Sequence, residues 1–481
     1  MKVDICDKVE GFNEFLSGIM KEWNVPGMAV GIVKDGEMIY LGELGLRNAK
    51  QDLKVTKNTL FAIGSASKAF TSMAVGMLVD EGKLDLDTPI KKYVSDFEMQ
   101  DKYAGAHLTI RDMLCHRSGL SRHDMVWYNN ASLTRKDLTD RIKHLELSKD
   151  FRTTWQYNSI MYVAAGYVIE TVSGMPWEEF VKKRIFEPLG MVSSNFSVED
   201  SKCSVDYSLP YSSNGKKVSE VNFRNMDLMG PAGSINSNLT DMVKWLKFHL
   251  NKGKVNGKQL ISENSIIQMH SPQIPCKLWP WKFDEVQFPS YGLGWFIDSY
   301  RGKKQVNHGG NIDGFSSYIS FLPEENIGIV LLSNLNEVFF ILPIIYSIYD
   351  RLLGYENTDW NKRMKDELSK MMNSMQNANE AAENPQKEGT KLSHPIEDYT
   401  GSFENPGYGI IKIEREGENL KLIYNDIEYI LKHKCYDVFI IKVLERLTLT
   451  VTFNCDSSGN INCVSIPFEQ SVKEITFKRC K

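Results

Sequence analysis

Ser65 and Lys68 stand three residues apart in Phe61-Ala62-Ile63-Gly64-Ser65-Ala66-Ser67-Lys68-Ala69-Phe70. The apolar spacing that follows (Phe70, Met73, Ala74, Met77, Leu78) reads as a helix, so Ser65 and Lys68 fall on one face of its first turn. A serine needs a base to attack a carbonyl, and a lysine shielded from water can be one. The helix N-terminus also favours the negative charge of a developing alkoxide. Ser65 has a second reading as a helix cap, and Ser-x-x-Lys by itself is a common tetrapeptide.

Two further stretches extend this chemistry. Trp155-Gln156-Tyr157-Asn158-Ser159 opens another helical pattern (Met161, Val163, Ala164, Tyr167, Val168), placing Tyr157 at an element boundary where a phenol can face a cleft. The reference pKa of a phenol, near 10, falls where cations flank it, which suits acid–base work. A packing tyrosine is the alternative. In Asn307-His308-Gly309-Gly310-Asn311 the glycines would let a substrate lie along a strand, with the Asn311 and Ser65 N–H groups forming an oxyanion hole. A plain turn is the other reading of that stretch.

These residues need a frame. Residues 9–22 have helical spacing, residues 27–33 and 37–42 read as strands, and Lys34-Asp35-Gly36 between the two is a hairpin signal. A helical, loop-rich region runs from 65 to about 254, and strand character returns at 291–297, 306, 316–322 and 327–333. Early and late strands with helices between them predict an α+β fold, one antiparallel sheet flanked by helices and accompanied by a helical lobe. The composition changes after residue 357. Residues 360–383 read as a connecting helix whose methionines (Met364, Met371, Met372, Met375) pack against a domain, and 384–393 as a linker. Short alternating segments at 409–413, 420–424, 429–433, 438–443, 447–454, 463–467 and 474–478 predict a small up-and-down sheet or β-barrel. The domains are thus 1–356, a connector over 357–393, and a barrel over 394–481.

Bulk composition narrows the function classes. With 57 basic and 61 acidic residues and no basic block, nucleic acid is not an expected partner. The longest apolar run, 338–346, contains Pro343 and is too short for a membrane span. Residues 1–24 mix charges throughout, unlike a signal peptide, so the expected location is cytoplasmic unless a leader has been removed. Eight scattered cysteines without Cys-x-x-Cys read as mostly free thiols, with a Cys455/Cys463 or a Cys463/Cys480 bridge left open. No His-Glu-x-x-His or other ligand cluster suggests zinc, and no cofactor is expected. A Gly-x-Ser-x-Gly elbow is absent, which sets aside an α/β-hydrolase.

Taken together, the ordered stretches resemble the serine β-lactamase and penicillin-binding-protein superfamily, most of all its class C β-lactamase, DD-peptidase, esterase and D-aminopeptidase branch. Ser65/Lys68, Tyr157 and His308-Gly309-Gly310 follow that family's order. Residues 108–120, Pro188-Leu189-Gly190-Met191, Ala232-Gly233-Ser234 and Tyr291-Gly292-Leu293-Gly294-Trp295 match it too, so the likeness covers about 12–336. The resemblance implies a β-lactamase-like fold in which Ser65 forms an acyl-enzyme, Lys68 and Tyr157 share the proton traffic, and His308 lines the pocket. Ser159 stands where the family's Tyr-x-Asn has an amide. His308, standing for a lysine, is expected to make the local charge pH-sensitive near neutrality. The tail after His394 is similar to the lipocalin-like barrel of some relatives. Trp127, Tyr128 and Trp295 are pocket candidates by position, with core packing as the alternative. The expected activity is hydrolysis of small esters, amides or short peptides through acyl-Ser65. An acyltransferase using the same intermediate and an inactive scaffold are the alternatives, and self-association is open.

Overall fold

The computed structural model describes residues 8–215, 217–277, 282–356, 358–382, 389–443 and 447–480, with side chains omitted over 375–382. Cys6 and the first half of the expected linker, residues 384–388, lie outside these residues.

A nine-stranded antiparallel sheet is the centre of the first part of the chain. Its order from one edge is Ile274–Pro275, Val286–Tyr291, Phe296–Tyr300, Lys303–Ile312, Phe315–Leu322, Ile327–Ser333, Gly27–Lys34, Glu37–Asn48, Leu53–Lys54. The early strand therefore closes against the late one, Val30 opposite Leu331, as the sequence suggests. The Lys34-Asp35-Gly36 turn forms with Asp35 and Gly36 at φ 53° and 83°, the positive values that a tight hairpin demands. The single strand expected at 291–297 is instead two, broken at Gly294, whose φ is +79°.

The sheet is covered on both faces, which is why strand Gly27–Lys34 is apolar and buried up to Val33. Met28, Val30 and Ile32 join a core with Phe12 and Leu16 of helix Phe12–Trp23 and Ile345 of helix Ile341–Leu353. Gly31 and Gly328 face helix Leu239–Leu250, where an added Cβ would come within 2.9 Å of Val243 or 2.7 Å of Leu246. Trp245 of that helix stacks on Phe70 at 3.9 Å. Phe70 belongs to helix Ser67–Asp80, which is buried along nearly its whole length rather than amphipathic.

The chain divides into two compact units that do not follow its linear order. The first takes Met1–Thr88, Thr109–Cys115 and Ala165–Met375; the second takes Pro89–Leu108, His116–Ala164 and Gln376–Lys481. Helix Trp360–Ala382 leads from one into the other. Met364 on it is buried as expected, but Met372 is exposed.

The second unit ends in a closed up-and-down barrel of eight strands, from Gly401–Asn405 to Ile475–Arg479, which pair with each other to close it. Alternate side chains (Ile411, Ile413, Leu422, Phe453, Phe477) point inward and are buried. The first strand escapes the sequence reading, because glycine and asparagine bracket its single apolar residue, Phe403. The described cysteines are all free thiols, so neither Cys455/Cys463 nor Cys463/Cys480 is bridged. No helix among the described residues is long and apolar enough to cross a membrane.

Candidate active site

In the first unit, Phe61–Ala62 leads through the 3-10 turn Gly64–Ala66 into helix Ser67–Asp80. Ser65 lies in that turn, half-buried. It is not a cap: Ala66 takes the position before the helix, with no side-chain capping bond. Instead, Lys68 Nζ donates to Ser65 Oγ at 3.2 Å and to the Ala232 carbonyl at 2.8 Å. The Lys68 side chain is fully buried. Both sides of this pair are therefore set by the backbone, through the three-residue spacing and through the Gly230–Gly233 turn that presents Ala232.

Strand Lys303–Ile312 runs beside the nucleophile turn, so residues 307–311 are strand and not a plain turn. Gly310 is required there, since an added Cβ would lie 1.8 Å from the Ile63 carbonyl oxygen. Ser317 Oγ donates to the same oxygen at 2.8 Å, which fixes the residue two positions before Ser65. The Asn311 backbone nitrogen lies 3.1 Å from where a Cβ on Gly64 would be. The Asn311 side-chain amide donates to Ser316 Oγ at 2.9 Å. Gly309 lies opposite Tyr318 in the neighbouring strand.

His308 departs from expectation. It is 1% exposed, and burial together with the Lys68 charge pushes its pKa down to about 3. Nδ1 donates to the Gly309 carbonyl at 2.7 Å, so in the neutral ring Nε2 accepts from the Tyr291 hydroxyl at 2.9 Å. The imidazole is therefore neutral near pH 7 and gives no charge change there. Trp295, a pocket candidate, is fully buried against His249, His270 and Phe321 and is core. Trp127 and Tyr128 are half-buried in the second unit, their rings edge to face at 6.2 Å.

Tyr157 and Ser159 also belong to the second unit. Tyr157 is half-buried just before helix Ser159–Ser173, as its place in the sequence suggests. His116, buried and with φ 62°, grips the backbone around it. The Gln156 N–H donates to the His116 carbonyl at 2.8 Å, and the Asn158 N–H donates to His116 Nδ1 at 3.1 Å. The His116 and Tyr157 rings are 4.4 Å apart, and the Arg122 guanidinium is 5.4 Å from the tyrosine ring centre. Asn158 does not stand in for the amide that Ser159 lacks. Its Nδ2 donates to the Ser121 carbonyl, and its Oδ1 accepts from the Met161 N–H at 2.8 Å.

Sequence reasoning brings out neither His116 nor Arg122 as functional. His116 lies inside one of the matching stretches, but its left-handed backbone has no signature outside glycine. Arg122 has no local motif at all. Among the described residues, no cluster of three or more His, Cys, Asp or Glu could hold a metal ion.

An antiparallel sheet flanked by helices, with a serine–lysine pair opening a buried helix beside a glycine-relieved strand, defines a β-lactamase-like fold. The chain belongs to the Beta-lactamase family, which it matches over residues 12–341; residues 385–479 match the Domain of unknown function (DUF3471). It is 28% identical over 442 residues to the unguisins hydrolase ungD' of Aspergillus campestris, covering 87% of this chain and 79% of that one. With Protein flp of Staphylococcus aureus it shares 26% identity over 69% of this chain and 64% of the other. The octameric penicillin-binding protein homologue from Pyrococcus abyssi superposes with a TM-score of 0.62 at 22% identity, over 99% of this chain and all (100%) of that one. D-amino acid amidase from Ochrobactrum anthropi SV3 gives 0.60 at 22% identity, over 72% and 98%.

Proposed function

We propose that this protein is a serine acyl-enzyme hydrolase of small esters or amides, its catalytic domain spanning 1–356 and its barrel 394–481. The observation that carries the reading is the buried Lys68 amine 3.2 Å from Ser65 Oγ. Burial strips the water that would stabilise an ammonium, and that is the condition under which a lysine amine serves as a base. Lys68 takes the Ser65 hydroxyl proton as Oγ attacks the substrate carbonyl. The oxyanion is met by the N–H groups of Ser65 and Asn311, with Gly309 and Gly310 leaving room along the strand. Tyr157 delivers a proton to the leaving group as its bond to carbon breaks, giving acyl-Ser65. Water then attacks the acyl carbon, and the proton it loses passes through the same groups to Ser65 Oγ as the acyl–oxygen bond breaks, freeing the acid and the Ser65 hydroxyl. His308, neutral, lines the strand, and Ser159 offers a hydroxyl to the substrate where an amide is usual. Hydrolysis is preferred to transfer onto another acceptor because one relative, ungD', is called a hydrolase.

The test is labelling with a fluorophosphonate and, separately, a β-lactam, read by intact mass. One adduct on the wild type and none on Ser65→Ala is the expected outcome. Well-folded wild-type protein that takes neither label would reject the enzyme reading in favour of a scaffold.

A further inference from the structure

The second unit holds the barrel and the Tyr157 segment together, and their contact is built around one residue. His123 is fully buried in a left-handed conformation, φ 46° and ψ 37°, which a non-glycine residue adopts only when its surroundings hold it there. Its backbone N–H donates to Glu469 Oε2 of the barrel at 3.0 Å. Its Nε2 lies 2.9 Å from the Glu146 carbonyl, an acceptor only, so Nε2 carries the proton. Burial pushes the pKa of His123 down, and the neutral ring leaves Nδ1 as an acceptor for the barrel's Tyr408 hydroxyl at 2.7 Å. The Glu146 carbonyl thus selects the tautomer, and two barrel side chains hold the ring and the backbone N–H in place.

The barrel also ties down the residues that follow. Asn425 Nδ2 donates to the carbonyls of Met125 and Tyr128, each at 3.0 Å, and Tyr424 donates to Met125 as well, at 2.9 Å. The residue before His123 is Arg122, the cation over the Tyr157 ring. Its Nε donates to Asp124 Oδ2 at 2.7 Å, yet 55% of its side chain is open to solvent. An exposed arginine ordinarily samples many rotamers. This one is set by a fixed backbone on one side and a carboxylate on the other.

We propose that Tyr408 and Glu469 of the barrel are positioning residues for the reaction: through His123 they set Arg122 against the Tyr157 ring and so fix where its phenol points. The proposal rests on the reading of Tyr157 as a proton carrier. Misplacing a catalytic group by an ångström lowers turnover steeply, so we expect Tyr408→Phe, Glu469→Ala and Arg122→Met each to lower kcat about tenfold with little change in KM. Glu469→Gln, which keeps an acceptor oxygen for the His123 N–H, and Arg122→Lys, which keeps a cation, restore most of the loss.

The deciding measurement places each substitution in a Tyr157→Phe background and follows ester hydrolysis. If the barrel acts through Tyr157, Tyr408→Phe and Arg122→Met have no further effect there. Full additivity would overturn the proposal while leaving the catalytic reading intact. Full activity of Tyr157→Phe alone would instead overturn the role of Tyr157 and the proposal with it. A readout independent of turnover is the 19F resonance of 3-fluorotyrosine at position 157, assigned by its loss in Tyr157→Phe. Tyr408→Phe is expected to shift or broaden it, and an unmoved resonance in the folded variant would also overturn the proposal.

Discussion

A histidine usually draws attention for its ability to change charge near neutrality, and His308 has lost that ability. Removing water disfavours imidazolium, any charge on Lys68 disfavours it further, and the Gly309 carbonyl selects the tautomer. We therefore expect no inflection from His308 in kcat/KM between about pH 5 and 8. His308→Gln should change the height of the pH–rate profile and not its shape; a lost inflection in that range would contradict this. The Ser65–Lys68 pair was legible in the sequence because three residues along a helix is a local relation. Arg122 was not legible. What makes it more than a surface arginine is the barrel's grip on His123, and Tyr408 and Glu469 lie hundreds of residues away in the chain.

The strand Lys303–Ile312 meets the nucleophile turn only because residue 310 has no side chain. A methyl there would sit 1.8 Å from the Ile63 oxygen, and backbone cannot yield as the end of a side chain can. Gly310→Ala should cost about 3 kcal/mol or more in a thermal or denaturant melt and slow phosphonylation of Ser65 at least tenfold. Wild-type labelling by that variant would show that the close approach is dispensable. The sequence marks such elements where its pattern is strong, as at the Lys34-Asp35-Gly36 turn and in the strands 316–322 and 327–333. It fails where glycine interrupts, joining two strands across Gly294 and missing Gly401–Asn405. In both places pairing with a neighbouring strand decides the outcome, and alternation within the segment does not.

For the molecule as a whole, buried histidines and one buried carboxyl shape the response to acid. His249 and His308 are pushed down to about 3, and His270 well below its ordinary value, all chiefly by burial. The unfolded chain takes up these protons below about pH 6.5 and the folded chain does not, so stability is complete above that pH and falls toward pH 3. Asp298 works oppositely. Burial raises it to about 7, so its contribution is full at low pH and is lost as pH rises through that value. Each group changes stability by about 1.4 kcal/mol per pH unit within its window, so three histidines outweigh one carboxyl. Melting temperatures followed by circular dichroism should fall from about pH 6.5 to 5, and more steeply in Asp298→Asn. A flat profile over that range would refute the argument. The fold class was legible at this scale because paired hydrophobic patterns at the two ends of the family region imply one sheet. The partition into units was not, because the barrel's partners within residues 89–164 carry no mark of that pairing in their own sequence.

That partition has a consequence in time. The segment carrying Tyr157 is synthesised more than two hundred residues before the barrel strands that hold His123. At roughly 5–20 residues per second, it waits tens of seconds on the ribosome for Tyr408 and Glu469 to emerge. Throughout that interval Ser65 and Lys68 are already in the chain, but the grip on the Tyr157 loop is not. Chemistry that depends on that grip waits until those barrel strands have emerged and paired.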